Sequence, residues 1–343
     1  MKNFNYKKKQ FYVENLSFKK ISNKFKTPFY CYSLAQLREN IDNFKKSFND
    51  IKPLICFSIK SNSNIKIVNE LKKKGCGADV VSIGELMLAL KAGINPLKIV
   101  FSGVGKTEEE IKFAIKKKIL LINIESESEA ALINKLSKKR KKITNIGIRL
   151  NPNIQSGTLK KISTGSQEDK FGLVEKNFIN LVKKIKTYKN LSLECLSVHI
   201  GSQILKIEPF QSSIKVIEKL IKKTKFNFKY VDLGGGIGIP YKKNNKKLNM
   251  EKYNSIIKNF KNTHNCKIIF EPGRSVVGNA GVLATKVNFI KKTDKKNFII
   301  LDAGMNDLMR PALYGAQHSI IPSEKRKNLY KKSIEFVGPC CES

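Results

Sequence analysis

The sequence has 343 residues, of which 41% are hydrophobic, so it can bury a substantial core and is not a disordered chain. Its formal net charge of +38, from 66 Lys and Arg against 28 Asp and Glu, raises the hypothesis of a nucleic-acid or anionic-membrane partner. However, only six of the basic residues are Arg, and Lys is spread along the chain without forming a patch. Nucleic-acid sites favour Arg. We therefore interpret the charge as compositional bias and predict neither a nucleic-acid nor a membrane partner.

Targeting and redox signals are also absent from the sequence. Stretches free of charged residues are shorter than the roughly 20 residues that span a bilayer, and the basic amino terminus lacks the apolar segment of a signal peptide. The seven Cys are odd in number and have no zinc-knuckle spacing. We expect reduced thiols in a cytoplasmic protein with no metal site.

In chain order, two short strand-like segments at residues 11–13 and 29–32 flank a helical one. Eight short, nearly continuous apolar runs follow and alternate with amphipathic, Lys-faced helical segments. The runs cover residues 54–59, 78–81, 99–101, 120–124, 146–150, 196–200, 230–233 and 267–270. Such runs are typical of parallel strands buried on both faces. Eight strand–helix units predict a (β/α)8 TIM barrel.

The segments outside the barrel predict a second domain. Strand patterns recur at residues 282–289, 297–301 and 334–337. Together with the first strands, they predict an all-β domain built from both chain ends. The expected boundaries are residues 1–32 for the N-terminal contribution, 33–280 for the barrel and 281–343 for the C-terminal part.

Polar residues and glycines follow nearly every predicted barrel strand, at the end where barrel enzymes place their chemistry. They include Lys60, His199, Gly234–Gly236 and Glu271. A Lys in a desolvated barrel mouth is expected to have a lowered pKa and to act as a nucleophile. A Lys, a His, a glycine turn that can hold a phosphate and a carboxylate together indicate a pyridoxal phosphate site.

Each of these residues has a simpler interpretation when it is taken alone. Lys60 is one of 60 lysines and could be a solvated side chain. His199 could be a packed core histidine. The three glycines, which lack the full spacing of a nucleotide-binding motif, could form only a tight turn. Glu271 could form an ion pair across the Pro272–Arg274 turn.

Several longer motifs carry a family resemblance. Residues 58–62, 79–85, 199–203, 233–236 and 271–274 resemble the alanine-racemase-like, fold-type III pyridoxal enzymes. Residues 302–307, 310–314 and 338–343 narrow the resemblance to the diaminopimelate decarboxylase family. The similarity extends from about residue 11 to the last residue.

The resemblance implies a role for each matching residue. Lys60 would bind the cofactor covalently, His199 would stack on its ring, and Glu271 would keep the ring nitrogen protonated. Cys341 would return a proton to the product from the partner subunit of a homodimer with shared active sites. The phosphate would be bound by residues of three turns: Ser202; Gly234, Gly235 and Gly236; Pro272, Gly273 and Arg274.

The implied small-molecule substrate is meso-2,6-diaminopimelate, converted to L-lysine and CO2 in the last step of lysine biosynthesis. Arg274 and Arg310, with Tyr314, would hold the distal carboxylate, and Glu342 the distal ammonium. Three of the six Arg, at positions 149, 274 and 310, lie at predicted strand ends or in these motifs.

Two alternatives stay open at this point. The chain could be another fold-type III decarboxylase of basic amino acids, or a shortened homologue that is inactive or regulatory. The second follows because the family extends several dozen residues past the 338–343 motif. We therefore expect an incomplete C-terminal β domain.

Overall fold

The computed structural model describes residues 3–155, 164–165, 169–241, 244–325 and 333–341. Two compact units make up the chain. The barrel unit comprises Arg38–Pro240 and Asn244–Gly278, and the second unit comprises Met1–Leu37, Tyr241–Lys243 and Asn279–Ser343. Within the described ranges, every helix is too short or too polar to cross a membrane.

The strands and helices alternate through most of the chain. The strands are β1 Phe4–Lys7, β2 Gln10–Val13, β3 Leu16–Ser17, β4 Phe29–Tyr32, β5 Leu54–Ser58, β6 Gly77–Val80, β7 Ile99–Phe101, β8 Leu121–Ile124, β9 Thr144–Leu150, β10 Leu191–Val198, β11 Tyr230–Asp232, β12 Lys267–Phe270, β13 Gly281–Ala284, β14 Val287–Lys292, β15 Lys296–Leu301 and β16 Ser333–Val337. The helices are α1 Phe18–Lys24, α2 Leu34–Ser47, α3 Ile65–Lys73, α4 Ile83–Lys91, α5 Glu108–Lys117, α6 Glu127–Lys139, α7 Glu175–Ile185, α8 Glu208–Thr224, α9 Met250–His264, α10 Arg274–Val277 and α11 Arg310–Tyr314.

Strands β5 to β12 form a closed barrel in which neighbouring strands are parallel, and β12 pairs with β5 to complete it. The predicted (β/α)8 barrel is therefore confirmed. Its interior is packed with side chains from alternate positions of facing strands, among them Cys56, Val100, Leu121, Cys195 and Ile269, all fully buried. A filled interior of this kind is a hydrophobic core, so we expect the functional site at the rim formed by the carboxyl ends of the strands.

Several helices of the barrel begin at the rim with a side-chain cap. Ser82 and Ser126 accept hydrogen bonds from the backbone N–H groups of Glu85 and Glu129, at the starts of α4 and α6. Such caps satisfy amide groups that a helix leaves unpaired at its first turn. They fix the loops that follow β6 and β8.

The second unit contains three small sheets, β1–β2–β3, β4–β13 and β14–β15–β16. The N-terminal and C-terminal segments meet within it, since the Phe11 N–H donates to Ser323 O and the Lys325 N–H donates to Lys9 O. The predicted β domain built from both chain ends is therefore confirmed, and the short helices α1 and α11 accompany its sheets.

The strand predicted at residues 282–289 is two strands, β13 and β14. Between them, the Asp302 carboxylate accepts hydrogen bonds from the Thr285 hydroxyl at 2.7 Å and the Lys286 N–H at 2.8 Å. These side-chain contacts replace ladder pairing at that point. An apolar pattern does not reveal such an interruption.

Gly147 of β9 offers a test of the barrel packing. A Cβ atom at this position would lie 2.1 Å from Asn123 Oδ1 and 3.1 Å from Cys195 Cβ. We expect Gly147→Ala to destabilise the protein by about 1–3 kcal/mol because the core has no room for the methyl group. The measurement is the free energy of unfolding in urea.

Gly84→Ala is the matched control. Gly84 is exposed on helix α4, and its nearest neighbour to a Cβ is 3.8 Å away. Alanine favours the helix there by about 1 kcal/mol. A Gly147→Ala protein as stable as the Gly84→Ala protein would contradict the packing described.

Candidate active site

Lys60 lies at the carboxyl end of β5, in a 3-10 turn formed by Ile59–Ser61. It follows β5, as the sequence predicts, and β5 ends at Ser58, one residue before the predicted end of the apolar run. Its Nζ atom is 2.6 Å from Asp79 Oδ2, and the Ser58 hydroxyl donates to the same oxygen at 2.5 Å. Asp79 is fully buried at the end of β6. The turn thus aims the ammonium group back into the barrel mouth.

The pKa of Lys60 is raised above its usual value, which corrects the expectation of a lowered one. Burial by itself lowers this pKa, but the negative charges of Asp79 and Glu271 outweigh that effect. Lys60 is therefore an ammonium group at neutral pH. It must lose a proton before Nζ can act as a nucleophile.

The buried carboxylates of the barrel mouth include those of Asp79, Asp232 and Glu271. Burial, followed by the charges of Asp232 and Asp79, raises the pKa of Glu271 well above its usual value. Burial also raises the pKa of Asp232 to about 6. Burial raises the pKa of Asp79 too, but Lys60 and Ser58 more than offset it and hold the net value below the ordinary range. A side-chain hydrogen bond with Asp232 contributes to the raised pKa of Glu271.

His199 follows β10 and is neutral. Its Nδ1 atom accepts a hydrogen bond from the Gly235 N–H at 3.1 Å, so that nitrogen carries no proton. Burial, assisted by the positive charges of Arg149 and Lys60, lowers the pKa of His199 to about 3. A neutral, oriented imidazole ring can pack against a flat ligand without adding charge.

Gly234, Gly235 and Gly236 form a tight turn after β11. Gly234 and Gly236 have positive φ angles of 63° and 92°. A Cβ atom at Gly235 would lie 2.3 Å from Glu271 O, and one at Gly236 2.6 Å from Gly201 O. The Gly234 N–H donates to Asp232 Oδ1 at 2.9 Å. The turn is therefore clamped to its neighbours, and only glycine fits it.

Ser202 and Arg274 lie on adjacent loops of the mouth. Arg274 donates to Ser202 Oγ from Nε and from Nη2, both at 3.2 Å. Gln203 bonds both backbone groups of Ile239, with Nε2 donating to O at 2.6 Å and Oε1 accepting from N at 3.2 Å. The loop of residues 199–203 is thus joined to the glycine turn and to the start of α10. Gly273 packs closely against the 3-10 turn that contains Lys60, since a Cβ atom at Gly273 would lie 3.0 Å from Ser61 Cβ.

Sequence analysis assigned no role to Arg149, although it lies at a strand end. Its Nη1 atom is 3.1 Å from Glu125 Oε1, and its guanidinium carbon lies 4.7 Å from the centre of the Phe171 ring. Glu125 also accepts the Gly172 N–H at 2.7 Å. Arg149 is a buried cation near Lys60 and His199, whose pKa values it lowers.

In the second unit, Arg310 begins α11 and contacts Tyr241. Its Nη1 atom is 2.7 Å from the Tyr241 hydroxyl, and its guanidinium lies 4.9 Å from the centre of that ring. Tyr314 ends the same short helix and is half-buried. Sequence reasoning missed Tyr241, which only the fold places beside Arg310.

The Cys341 thiol is exposed in the second unit. Its motif packs against the 302–307 motif, since a Cβ at Gly338 would lie 2.5 Å from Ala303 O, and Cys340 Sγ is 3.5 Å from Asn306 Oδ1. The substrate residue expected at Glu342 lies outside the described residues.

Comparisons with known proteins agree with this geometry. The family model for the pyridoxal-dependent decarboxylase, pyridoxal binding domain, matches residues 34–278. The diaminopimelate decarboxylase of Aquifex aeolicus is 41% identical over 98% of this chain and 80% of that protein. The chain belongs to the diaminopimelate decarboxylase family. A Helicobacter pylori member (strain J99) is 42% identical over 93% of this chain and 79% of its own length.

Solved structures of this family share the fold. The diaminopimelate decarboxylase of H. pylori, complexed with L-lysine, has a TM-score of 0.88 and 40% identity, covering 95% of this chain and 82% of that one. The M. jannaschii enzyme, in co-complex with L-lysine, has a TM-score of 0.92 and 34% identity, covering 99% and 82%.

The barrel mouth fits pyridoxal phosphate, the cofactor that this family uses. Glu271 Oε1 is buried and has no hydrogen-bond partner among the described residues, so it can accept a hydrogen bond from a protonated ring nitrogen. The glycine turn leaves a backbone surface without side chains, as close approach of a phosphate requires. Lys60 supplies the amine in the same mouth.

The state of His199 can be tested by NMR. Because the unfolded imidazole binds a proton near pH 6.5 and the folded one only near pH 3, the protein loses stability as the pH falls between these values. In 15N-histidine spectra of the cofactor-free protein, we expect one imidazole to stay neutral down to about pH 4. His199→Gln should remove that signal. An imidazole assigned to residue 199 that titrates near pH 6.5 would contradict this account.

Proposed function

We propose that the protein catalyses the pyridoxal-phosphate-dependent decarboxylation of meso-2,6-diaminopimelate to L-lysine and CO2, the last step of lysine biosynthesis. The observation that carries the proposal is the unpartnered, buried Oε1 atom of Glu271 in the same mouth as Lys60. It is supported by relatives named for this reaction and by two of their structures that contain L-lysine.

When bound, pyridoxal phosphate supplies an electron sink for the electron pair that a departing carboxylate leaves behind. Lys60 binds the cofactor through Nζ, and Asp79 Oδ2, at 2.6 Å, is the nearest base for the proton that this ammonium must lose. Glu271 holds a proton at the ring nitrogen, because a carboxylate beside it favours the charged ring. His199 packs on the ring as a neutral group.

The phosphate contacts are assigned to three turns that the structure joins together. Ser202 Oγ and the backbone of Gly273 and Arg274 lie on two of them, and Gly236 lies on the third. Gly234 and Gly235 use their N–H groups within the barrel, so their role is to hold this turn in place. Pro272 contributes through its carbonyl group, which accepts the Ser58 N–H at 3.2 Å and fixes the loop against β5.

The substrate contacts are assigned from the sequence motifs and from side-chain chemistry. Arg274 and Arg310 bind the distal carboxylate, because a guanidinium can bond both oxygens of a carboxylate. Tyr241 orients Arg310 by a hydrogen bond and by its ring face. Tyr314 belongs to the same group, and Glu342 is assigned to the distal ammonium.

Two further assignments complete the proposal. Cys341 returns the proton to the product carbon, and the active form is a homodimer with shared sites. The exposed thiol of Cys341 supports the first assignment, since a proton donor must reach a ligand. A cytoplasmic location is supported by seven cysteines that are all unpaired.

Lys60→Ala tests the cofactor assignment. We expect this variant to lack the visible absorption band of protein-bound pyridoxal phosphate and to release no CO2 from diaminopimelate, because no other amine occupies that turn. Reduction with borohydride followed by peptide mass spectrometry should locate the pyridoxyl group on Lys60 of the wild type. Lys66→Ala, at an exposed position of α3, is the control and should keep the band. A band that persists in Lys60→Ala would rule the assignment out.

Arg310→Ala tests the substrate assignment. Loss of a charged hydrogen-bond pair to the distal carboxylate should raise KM for diaminopimelate by about tenfold or more. Cofactor absorption should stay unchanged. Arg140→Ala, at the exposed C-terminus of α6, is the matched control. Equal KM values in the two variants would show that Arg310 does not bind the substrate.

A further inference from the structure

Asp232 is a fully buried carboxylate whose two oxygens accept hydrogen bonds from different parts of the barrel. Oδ1 accepts the Gly234 N–H at 2.9 Å. Oδ2 accepts Asn123 Nδ2 at 3.2 Å and the Ser197 hydroxyl at 3.2 Å. Three donors therefore fix both the position and the orientation of this side chain.

Asn123 is the centre of the network behind Asp232. Its Nδ2 atom also contacts Ser102 Oγ at 3.2 Å and Ser197 Oγ at 3.3 Å, and its Oδ1 atom packs against Gly147. Asn123 is fully buried, and Ser197 and Ser102 are nearly so. In a low-dielectric interior, such a network is rigid because each broken bond leaves a buried polar group unpaired.

Asp232 also contacts Glu271 by a side-chain hydrogen bond. Glu271 is the carboxylate assigned to the ring nitrogen, whereas Gly234 begins the turn assigned to the phosphate. A single buried side chain therefore touches the residues that recognise the two ends of the cofactor. The contact with Glu271 also fixes which Glu271 oxygen remains available, namely Oε1.

We propose that Asp232, held by Asn123 and Ser197, is a positioning residue that sets the basicity and orientation of Glu271 toward the cofactor ring nitrogen and anchors the glycine turn through Gly234. The inference rests on the proposed function, since it concerns the same cofactor site. Its physical basis is that the negative charge of a second carboxylate behind Glu271 stabilises the protonated ring nitrogen that Glu271 contacts. An uncharged residue at position 232 provides no such support.

The experiment titrates cofactor-free protein with two probes, pyridoxal phosphate and its 1-deaza analogue, in which carbon replaces the ring nitrogen. Visible absorption gives the dissociation constant of each. In Asp232→Asn we expect binding of pyridoxal phosphate to weaken about tenfold more than binding of the analogue, because only the former has a nitrogen for Glu271 to bind. A purely structural defect would weaken both probes equally and leave the ratio of their dissociation constants unchanged.

Ser197→Ala and Ser102→Ala form a matched pair that also covers the case in which Asp232→Asn does not fold. Both serines contact Asn123, but only Ser197 reaches Asp232. In Ser197→Ala we expect the ratio of the two dissociation constants to shift in the same direction as in Asp232→Asn, but by a smaller factor. In Ser102→Ala we expect this ratio to stay at the wild-type value. Thermal unfolding of each cofactor-free protein reports whether it is folded.

The outcomes separate this inference from the proposed function. A wild-type protein that binds neither probe would overturn both. The second outcome is that the wild type binds pyridoxal phosphate tightly and that Asp232→Asn and Ser197→Ala keep the wild-type ratio of dissociation constants. This result would overturn the role of Asp232 and leave the proposed function intact. A shifted ratio in Ser102→Ala alone would also overturn it.

Discussion

The barrel mouth holds several buried carboxylates, among them Asp79, Asp232 and Glu271, and their charge has to be balanced inside the same low-dielectric space. Lys60 and Arg149 are cations close to these carboxylates, and Arg149 is itself paired with Glu125. The balance is incomplete, because Glu271 carries a raised pKa and one of its oxygens has no partner among the described residues. A site in this state favours a ligand that brings a positive ring nitrogen to Glu271. The arrangement explains why the cofactor fits here.

The barrel itself could be predicted from the sequence because its strands are buried on both faces. Such strands appear as unbroken apolar runs, and the predicted runs at residues 99–101 and 267–270 coincide with β7 and β12. Strand β10 begins at Leu191, five residues before the predicted start, because residues 192–194 are only partly buried and include Glu194, which interrupts the apolar run. The pattern therefore identifies the core of a strand better than its exposed end.

The electrostatics of the site could not be read from the sequence. The sequence shows that Lys60 ends an apolar run, but the carboxylates that raise its pKa come from β6 and from the end of β12. Asp232 and Asn123 were missed as site residues because they lie within runs that predict strands. A charged residue in a doubly buried strand must be paired or hydrogen-bonded, and that is the signal by which Asp232 could have been found.

The most direct test of the account is product analysis of the purified protein with pyridoxal phosphate. Diaminopimelate, ornithine and arginine are supplied in parallel, and mass spectrometry measures the amine product and CO2 from each. The account predicts L-lysine and CO2 from diaminopimelate and far slower release of CO2 from the other two, which have no distal carboxylate for an Arg to bind. Decarboxylation of ornithine or arginine with diaminopimelate left unchanged would contradict it.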